Sequence, residues 1–353
     1  MRMSVAAPRA APAGGKFMGN RAVLHRRHVM NQARPCRVSR ALVIENSKHY
    51  PGKHVVLGVD IGGTGCKAAP VNILTGEVLA ERRRIETPQP ATPEAICATV
   101  GKLVSQFDWD GPIGCGFPAA VRHGKVCTAA NIDKSWIGQD IHVLLRQYTG
   151  AERVSVVNDA DAAGAAEMRF GAGRGVSGNV MMVTIGTGLG TALFTGGHLV
   201  PNTELGHLFL SNAREGEEFA ANSAREREKL GWGKWGKRLN KYLCEIDKLF
   251  WPDLIILGGG VSKKSDKWLQ HIDLPNSEVK IAEMRNFAGI VGAAVGGFPD
   301  LVDLAVEEAG GQAVVLRMLA EREATVQVGS FNVDEDEDSL DSGDEITFSF
   351  EEN

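Results

Sequence analysis

The chain has 353 residues, 43% hydrophobic and 23% charged, with 39 Lys and Arg against 43 Asp and Glu. That length carries two domains or one large two-lobed unit, and the composition excludes collagen, coiled coil and wholesale disorder. No run approaches about 20 uninterrupted apolar residues, which argues against a membrane-spanning helix, and a formal charge of −4 gives no general pull toward nucleic acid.

The small net charge conceals two strongly charged ends. Residues 1–44 hold nine Arg and Lys and no acid, rich in Ala and without an apolar segment. A leader of this composition, taken as residues 1–50, resembles an organelle transit peptide, so import into a plastid or mitochondrion is expected. Residues 334–353 hold ten acids and no base. Residues 300–353 are therefore expected to form an extension ending in a disordered, solubilising tail. The six cysteines, at 36, 66, 97, 115, 127 and 244, show no CxxC pair or zinc-like spacing, which fits reduced thiols in the core.

Between the ends the chain alternates strands and helices. Val55–Val59 is an apolar run ending at Asp60, followed by the turn Gly62-Gly63-Thr64-Gly65 and two further strands, Lys67–Ile73 and Val78–Glu86. Thr92 and Pro93 open a helix as N-cap and first residue. Ile113–Phe117 reads as a strand, Ile141–Tyr148 as a helix closed by Gly150, Val154–Val157 as a strand and Ala160–Phe170 as an Ala-rich helix. The same grammar then repeats. Val180–Ile185 is a strand, Gly186–Gly190 a glycine turn and Thr191–Phe194 a returning strand. Residues 217–250 read as helical, Leu254–Leu257 as a strand, Gly258-Gly259-Gly260 as a turn, Ser262 as a helix cap, and Ala288–Val295 as the last helix. The repetition predicts a pseudo-duplicated α/β protein, with lobes at 51–170 and 171–299 and a ligand cleft between them.

Chemistry gathers at the strand ends. In the first turn, Gly62, Gly63 and Gly65 let backbone N–H groups approach an anion, Thr64 adds a hydroxyl, Lys67 a charge, and Asp60 a carboxylate suited to hydrated Mg²⁺. Gly186, Thr187, Gly188 and Gly190 form the counterpart, so that one phosphate chain is gripped from both sides. Asn158-Asp159-Ala160-Asp161 stands where a strand meets a helix N-terminus. Asn158, Asp159 or Asp161 could supply the helix cap, but one cap needs one such residue and three polar groups cluster here, so Asp159 is read as accepting a hydroxyl proton during phosphoryl transfer. Glu204 and His207, three apart, match vicinal sugar hydroxyls. Asn131 and Asp133 are further sugar candidates, while Trp136 reads as core. Lys263 and Lys264 in a helix's first turn oppose its dipole unless an anion lies close by.

Taken together, Asp60–Lys67, Gly186–Gly190, Glu204-Leu-Gly-His207 and Gly258-Gly-Gly260 resemble the ROK sugar kinases. Pro88–Pro93, Thr128–Gly138, Asn158–Asp161 and Val200–His207 are similar to the polyphosphate glucokinases within that family. The resemblance spans roughly residues 55–297. It implies a two-lobed actin-like ATPase fold with ribonuclease-H-like lobes, and transfer of a terminal phosphoryl group from polyphosphate or ATP to glucose O6 with Mg²⁺. It makes Asp159 the general base, Asn131, Asn158, Glu204 and His207 glucose contacts, and the two glycine turns phosphate loops, with Gly258, Gly259 and Gly260 toward the donor. It also implies a homodimer. The Cys-rich zinc motif of many ROK members is absent after His207, where Leu208-Phe209-Leu210-Ser211 stands, so no structural zinc is expected. Ala119 follows Pro118 where many ROK proteins have Gly, a mild change.

Other classes fit less well. A DNA-binding repressor of this family requires an N-terminal helix-turn-helix, and residues 1–50 have no helical apolar period. A non-catalytic sugar sensor has no need of Asp159, and an actin- or Hsp70-like ATPase lacks the Glu204/His207 loop. A kinase for another hexose, such as mannose, is the nearest alternative, since one hydroxyl's stereochemistry decides it.

Overall fold

A computed structural model describes residues 54–320 except 212, 313, 317 and 318. The basic leader and the acidic tail lie outside the described residues. What is described falls in one compact unit.

The first half builds a sheet from β1 (Val55–Ile61), β2 (Gly65–Asn72), β3 (Glu77–Val78) and β4 (Arg83–Glu86), then α1 (Pro93–Gln106) and β5 (Ile113–Phe117). A small hairpin, β6 (Val121–Arg122) and β7 (Lys125–Val126), precedes α2 (Ile141–Thr149) and β8 (Val154–Asn158). β1 and β2 are antiparallel, β5 and β8 add in parallel, and the order is β3-β2-β1-β5-β8 with β4 also on β2. Thr92 caps α1 by accepting from the Ala95 N–H at 3.3 Å, and α2 closes at Gly150 in the left-handed conformation, φ +71°.

After α3 (Asp159–Phe170) the pattern recurs. β9 (Asn179–Ile185), β10 (Leu189–Thr195) and β11 (His198–Val200) run antiparallel. Helices α4 (Gly216–Ala220), α5 (Asn222–Arg227) and α6 (Trp232–Phe250) lead to the parallel strands β12 (Leu254–Gly258) and β13 (Glu278–Ile281). The order β10-β9-β12-β13 repeats β2-β1-β5-β8, so the duplication is topological as well as sequential. After β13 come α7 (Ala288–Gly296) and α8 (Pro299–Glu308).

The boundary at 170/171 separates the sheets but not the helices. α7 belongs to the second half in sequence, yet it packs on β1 and β5 of the first sheet, while α3 packs on β9 and β10 of the second. The two helices also pack on each other more extensively than any other pair of helices. Ala166, Met182, Ile256, Ile290 and Val291 meet in the resulting shared core. Two other cores lie beyond the sheets, one under α1 and α2 and one under α6. No single described helix is long and apolar enough to cross a membrane.

Several sequence expectations need correction. Val78–Glu86 is not one strand: Pro70 in β2 has no N–H to donate, and β3 and β4 pair on either side of it. The 217–250 stretch is three helices, broken at Ala221, which has extended backbone, and again before Gly231, where Lys229 takes φ +50°. Ser262 does not cap a helix: Gly259 precedes a 3₁₀ segment, Gly260–Lys267, and the Ser262 hydroxyl donates to the Gly259 carbonyl at 2.8 Å. Ala288–Val295 is not the last helix, because α8 follows and buries Leu301, Val302 and Ala305, so the 300–353 extension begins as part of the folded body.

The helix crossing makes a sharp prediction. A Cβ at Gly292 of α7 would overlap the Ala162 carbonyl of α3. Gly292→Val is expected to cost about 3 kcal/mol of stability, at the upper end for overpacking, read as a lowered denaturant midpoint.

Candidate active site

The two glycine turns face each other. Gly63 and Thr64 of the β1–β2 turn and Gly186–Gly190 of the β9–β10 turn line one cavity of about 470 Å³. Asn131, Asn158, Asp159, Glu204 and His207 open onto the same space. An adjoining cavity of about 300 Å³ is lined by Asp60, Lys67, Gly259, Gly260, Lys263 and Arg285. Asp159, Thr184 and Gly259 border both, so the carboxylate of Asp159 stands at their junction.

Asp159 is the first residue of α3, and the cap is its neighbour. Asn158 Oδ1 accepts from the N–H groups of Ala160 at 2.8 Å and Asp161 at 3.2 Å, while its Nδ2 reaches the Ala119 carbonyl at 3.4 Å. Asn158 thus serves as cap and cavity wall together. Asp159 is pushed up to about 7, first by burial and then by the charge of Asp60. Asp60 pairs with Lys67 across the β1–β2 register at 3.6 Å. Burial raises Asp60 too, and Lys67 opposes the rise.

Glu204 and His207 bracket a 3₁₀ turn, Leu205–His207. The loop before it is tied to both lobes. The Thr191 hydroxyl donates to the Thr203 carbonyl at 2.7 Å, and the Asn202 N–H donates to Asp161 Oδ2 at 2.8 Å. The Asn202 side-chain amide bonds both backbone groups of Val121, at 2.9 and 3.1 Å. His207 Nδ1 lies 2.7 Å from Glu215 Oε2, a hydrogen bond that raises its pKa and leaves Nε2 as the other ring position. His207, Glu215 and Glu217 put three potential ligand atoms within 4.8 Å of one another.

Not every expected residue reaches a cavity wall. Gly62 builds the first turn instead, donating to the Gly65 carbonyl and accepting from the Thr87 hydroxyl. Gly258 ends β12 against Met182, so only Gly259 and Gly260 of the triplet line the second cavity. Asp133 caps the Lys134–Trp136 turn, and Trp136 is fully buried, donating to the Ala91 carbonyl at 2.9 Å. Lys263 lines the second cavity and Lys264 does not. Glu217 and Arg285 went unnoticed in the sequence. Glu217 sits in the first turn of α4 and enters the first cavity because α4 packs against the Leu205–His207 turn. Arg285 lies in a segment without strand or helix periodicity.

The family model described as "ROK family" matches residues 56–218. A polyphosphate glucokinase of Mycobacterium tuberculosis is 44% identical over 243 residues, covering 69% of this chain and 91% of that protein. The chain belongs to the ROK family. An inorganic polyphosphate/ATP-glucomannokinase from Arthrobacter sp. strain KM superposes with a TM-score of 0.67 at 44% identity, over 70% of this chain and 99% of that one. A ROK family glucokinase from Streptomyces griseus, in complex with glucose and AMPPNP, superposes with a TM-score of 0.58 at 27% identity, over 69% and 99%. The fold is accordingly the two-lobed actin-like ATPase fold, with the two cavities in its interlobe cleft.

The electrostatics of this ROK site can be checked directly. Carboxyl NMR of the ligand-free protein should place the Asp159 midpoint near 7. Asp60→Asn removes a negative neighbour and should lower that midpoint; an unchanged midpoint would detach the two groups.

Proposed function

We infer that this chain is a glucokinase that transfers the terminal phosphoryl group of inorganic polyphosphate or ATP to O6 of glucose, giving glucose 6-phosphate. The observation that carries this reading is the position of Asp159, at the junction of a cavity lined by Glu204 and His207 and a second one lined by cations. The 44% identity to a polyphosphate glucokinase and to a polyphosphate/ATP-glucomannokinase supports the donor and acceptor classes.

In this mechanism Glu204, His207, Asn131 and Asn158 hold the sugar hydroxyls in the first cavity. Asp159 accepts the O6 proton as O6 bonds to the terminal phosphorus, and the bond from that phosphorus to the donor's bridging oxygen breaks. The shortened donor leaves as ADP or as a polyphosphate one unit shorter. The two glycine turns line the space for the transferring group, where their free backbone N–H groups would stabilise its charge, and Lys67, Lys263 and Arg285 complement the charge of the donor chain. Asp60 offers a hard oxygen ligand on the donor side, as Mg²⁺ requires, and Mg²⁺ bound there would neutralise phosphate charge. Asp159 is a base only when ionised. In the ligand-free chain it is protonated below about 7. The rate therefore falls as pH drops, and cations arriving with the donor move that limb downward.

Mannose is a second acceptor in this reading, favoured by the glucomannokinase likeness. Assembly as a homodimer is part of it through the family resemblance. Work inside an organelle is part of it through the acid-free, arginine-rich leader.

Turnover of the full chain with Mg²⁺ is expected from both polyphosphate and ATP, with glucose and mannose as acceptors. No turnover from any pair, in a sample that binds glucose, would make it a sensor. Asp159→Asn should keep glucose binding and lower kcat by roughly 10²–10⁴-fold; near-normal kcat would remove it as base. Lys263→Ala should raise the KM for polyphosphate by about tenfold, one charge-assisted contact, with the glucose KM unmoved.

A further inference from the structure

Glu167 lies near the end of α3, two helical turns beyond Asp159, and its side chain is 0% exposed. It lines neither cavity. A carboxylate so deeply buried persists only when its oxygens are satisfied, and these are. Oε2 accepts from the N–H groups of Ala172 at 2.9 Å and Glu283 at 3.1 Å, and Oε1 from that of Met284 at 2.7 Å. The first bond closes the end of α3. The other two reach more than a hundred residues along the chain, to the segment that joins β13 to α7.

That segment forms one wall of the second cavity. Arg285 and Asn286 line it, as do Ala288 and Gly289 at the start of α7. Arg285 takes φ +45°, a left-handed conformation that a side-chain-bearing residue keeps only when its surroundings impose it. Gly289 stands so close to Asp60 that a Cβ there would come 2.7 Å from the carboxylate carbon. A small shift of the segment would thus displace Arg285 and press α7 on Asp60 together.

We propose that Glu167 is a positioning residue for the phosphoryl donor: by gripping the Glu283 and Met284 amides it sets Arg285 and Asn286 in the wall of the donor cavity. This rests on reading the second cavity as the donor site. Because α3 begins at Asp159 and carries Glu167 near its other end, one rigid helix fixes both the proton acceptor and the donor wall. A purely structural carboxylate that only closes α3 would weaken both substrates alike.

The test uses the full chain and two equilibrium probes, tripolyphosphate and glucose, measured by calorimetry without turnover. Glu167→Gln keeps the shape but turns one acceptor into an NH₂ group facing N–H donors. It should weaken tripolyphosphate binding by about tenfold, the size of one lost charge-assisted bond, with glucose binding unchanged. Arg285→Ala should weaken tripolyphosphate similarly, and the double variant should be little worse than either single one, since both act through one contact. Where Glu167→Gln does not fold, Glu167→Asp, which retracts the carboxylate by one methylene, should show a smaller loss with the same selectivity. Equal losses for both probes, full additivity, or an Arg285→Ala variant that binds tripolyphosphate normally would each overturn the proposal. Absent glucose phosphorylation by the unaltered chain is a separate result, and bears on the function instead.

Discussion

The contact between α3 and α7 is the constraint on which the rest depends. Gly292 brings the α7 backbone against the Ala162 carbonyl, so at that point the two helices meet backbone to backbone. Each helix also covers the opposite half's sheet. The starts of both helices therefore arrive at the cleft in a fixed relation. α3 presents Asp159, and α7 presents Gly289 beside Asp60. A close-packed interior transmits displacement instead of absorbing it, so the site inherits the precision of the crossing.

Electrostatics divides the cleft in two. Burial first, and then the negative charges of Asp60, Glu204 and the buried Asp161, push Asp159 up to about 7 in the ligand-free chain. A carboxylate tuned this way is a better proton acceptor at working pH than one at its ordinary value. On the donor side Lys67, Lys263 and Arg285 supply the opposite sign. The sugar loop gains rigidity from another source, hydrogen bonds from Asn202 to Asp161 and to Val121 that tie it to the first lobe.

Much of this was legible in the residues. Strands announced themselves by apolar runs ending in glycine turns, and the repeat of that grammar predicted two matching sheets, which the strand orders bear out. Asp60, Asp159, Glu204 and His207 were readable because polar groups at strand ends and helix starts stand out against apolar neighbours. Less legible were features that depend on a partner distant in sequence. Whether Gly62 or Gly63 faces the cavity is decided by the Thr87 hydroxyl taking the Gly62 carbonyl. Whether Asp133 meets a sugar is decided by its capping of Ser135. Glu217 and Arg285 had no local pattern to mark them.

The sequence by itself determined the classes of element, the duplication and the chemistry of the motifs, because propensity, periodicity and turn geometry are local properties of neighbouring residues. Only the tertiary structure decided which helix covers which sheet and that Glu167 ties the end of α3 to the segment carrying Arg285. Those outcomes turn on contacts between residues up to about two hundred and thirty positions apart, and such contacts are set by packing and hydrogen-bond satisfaction in three dimensions, which no local pattern records.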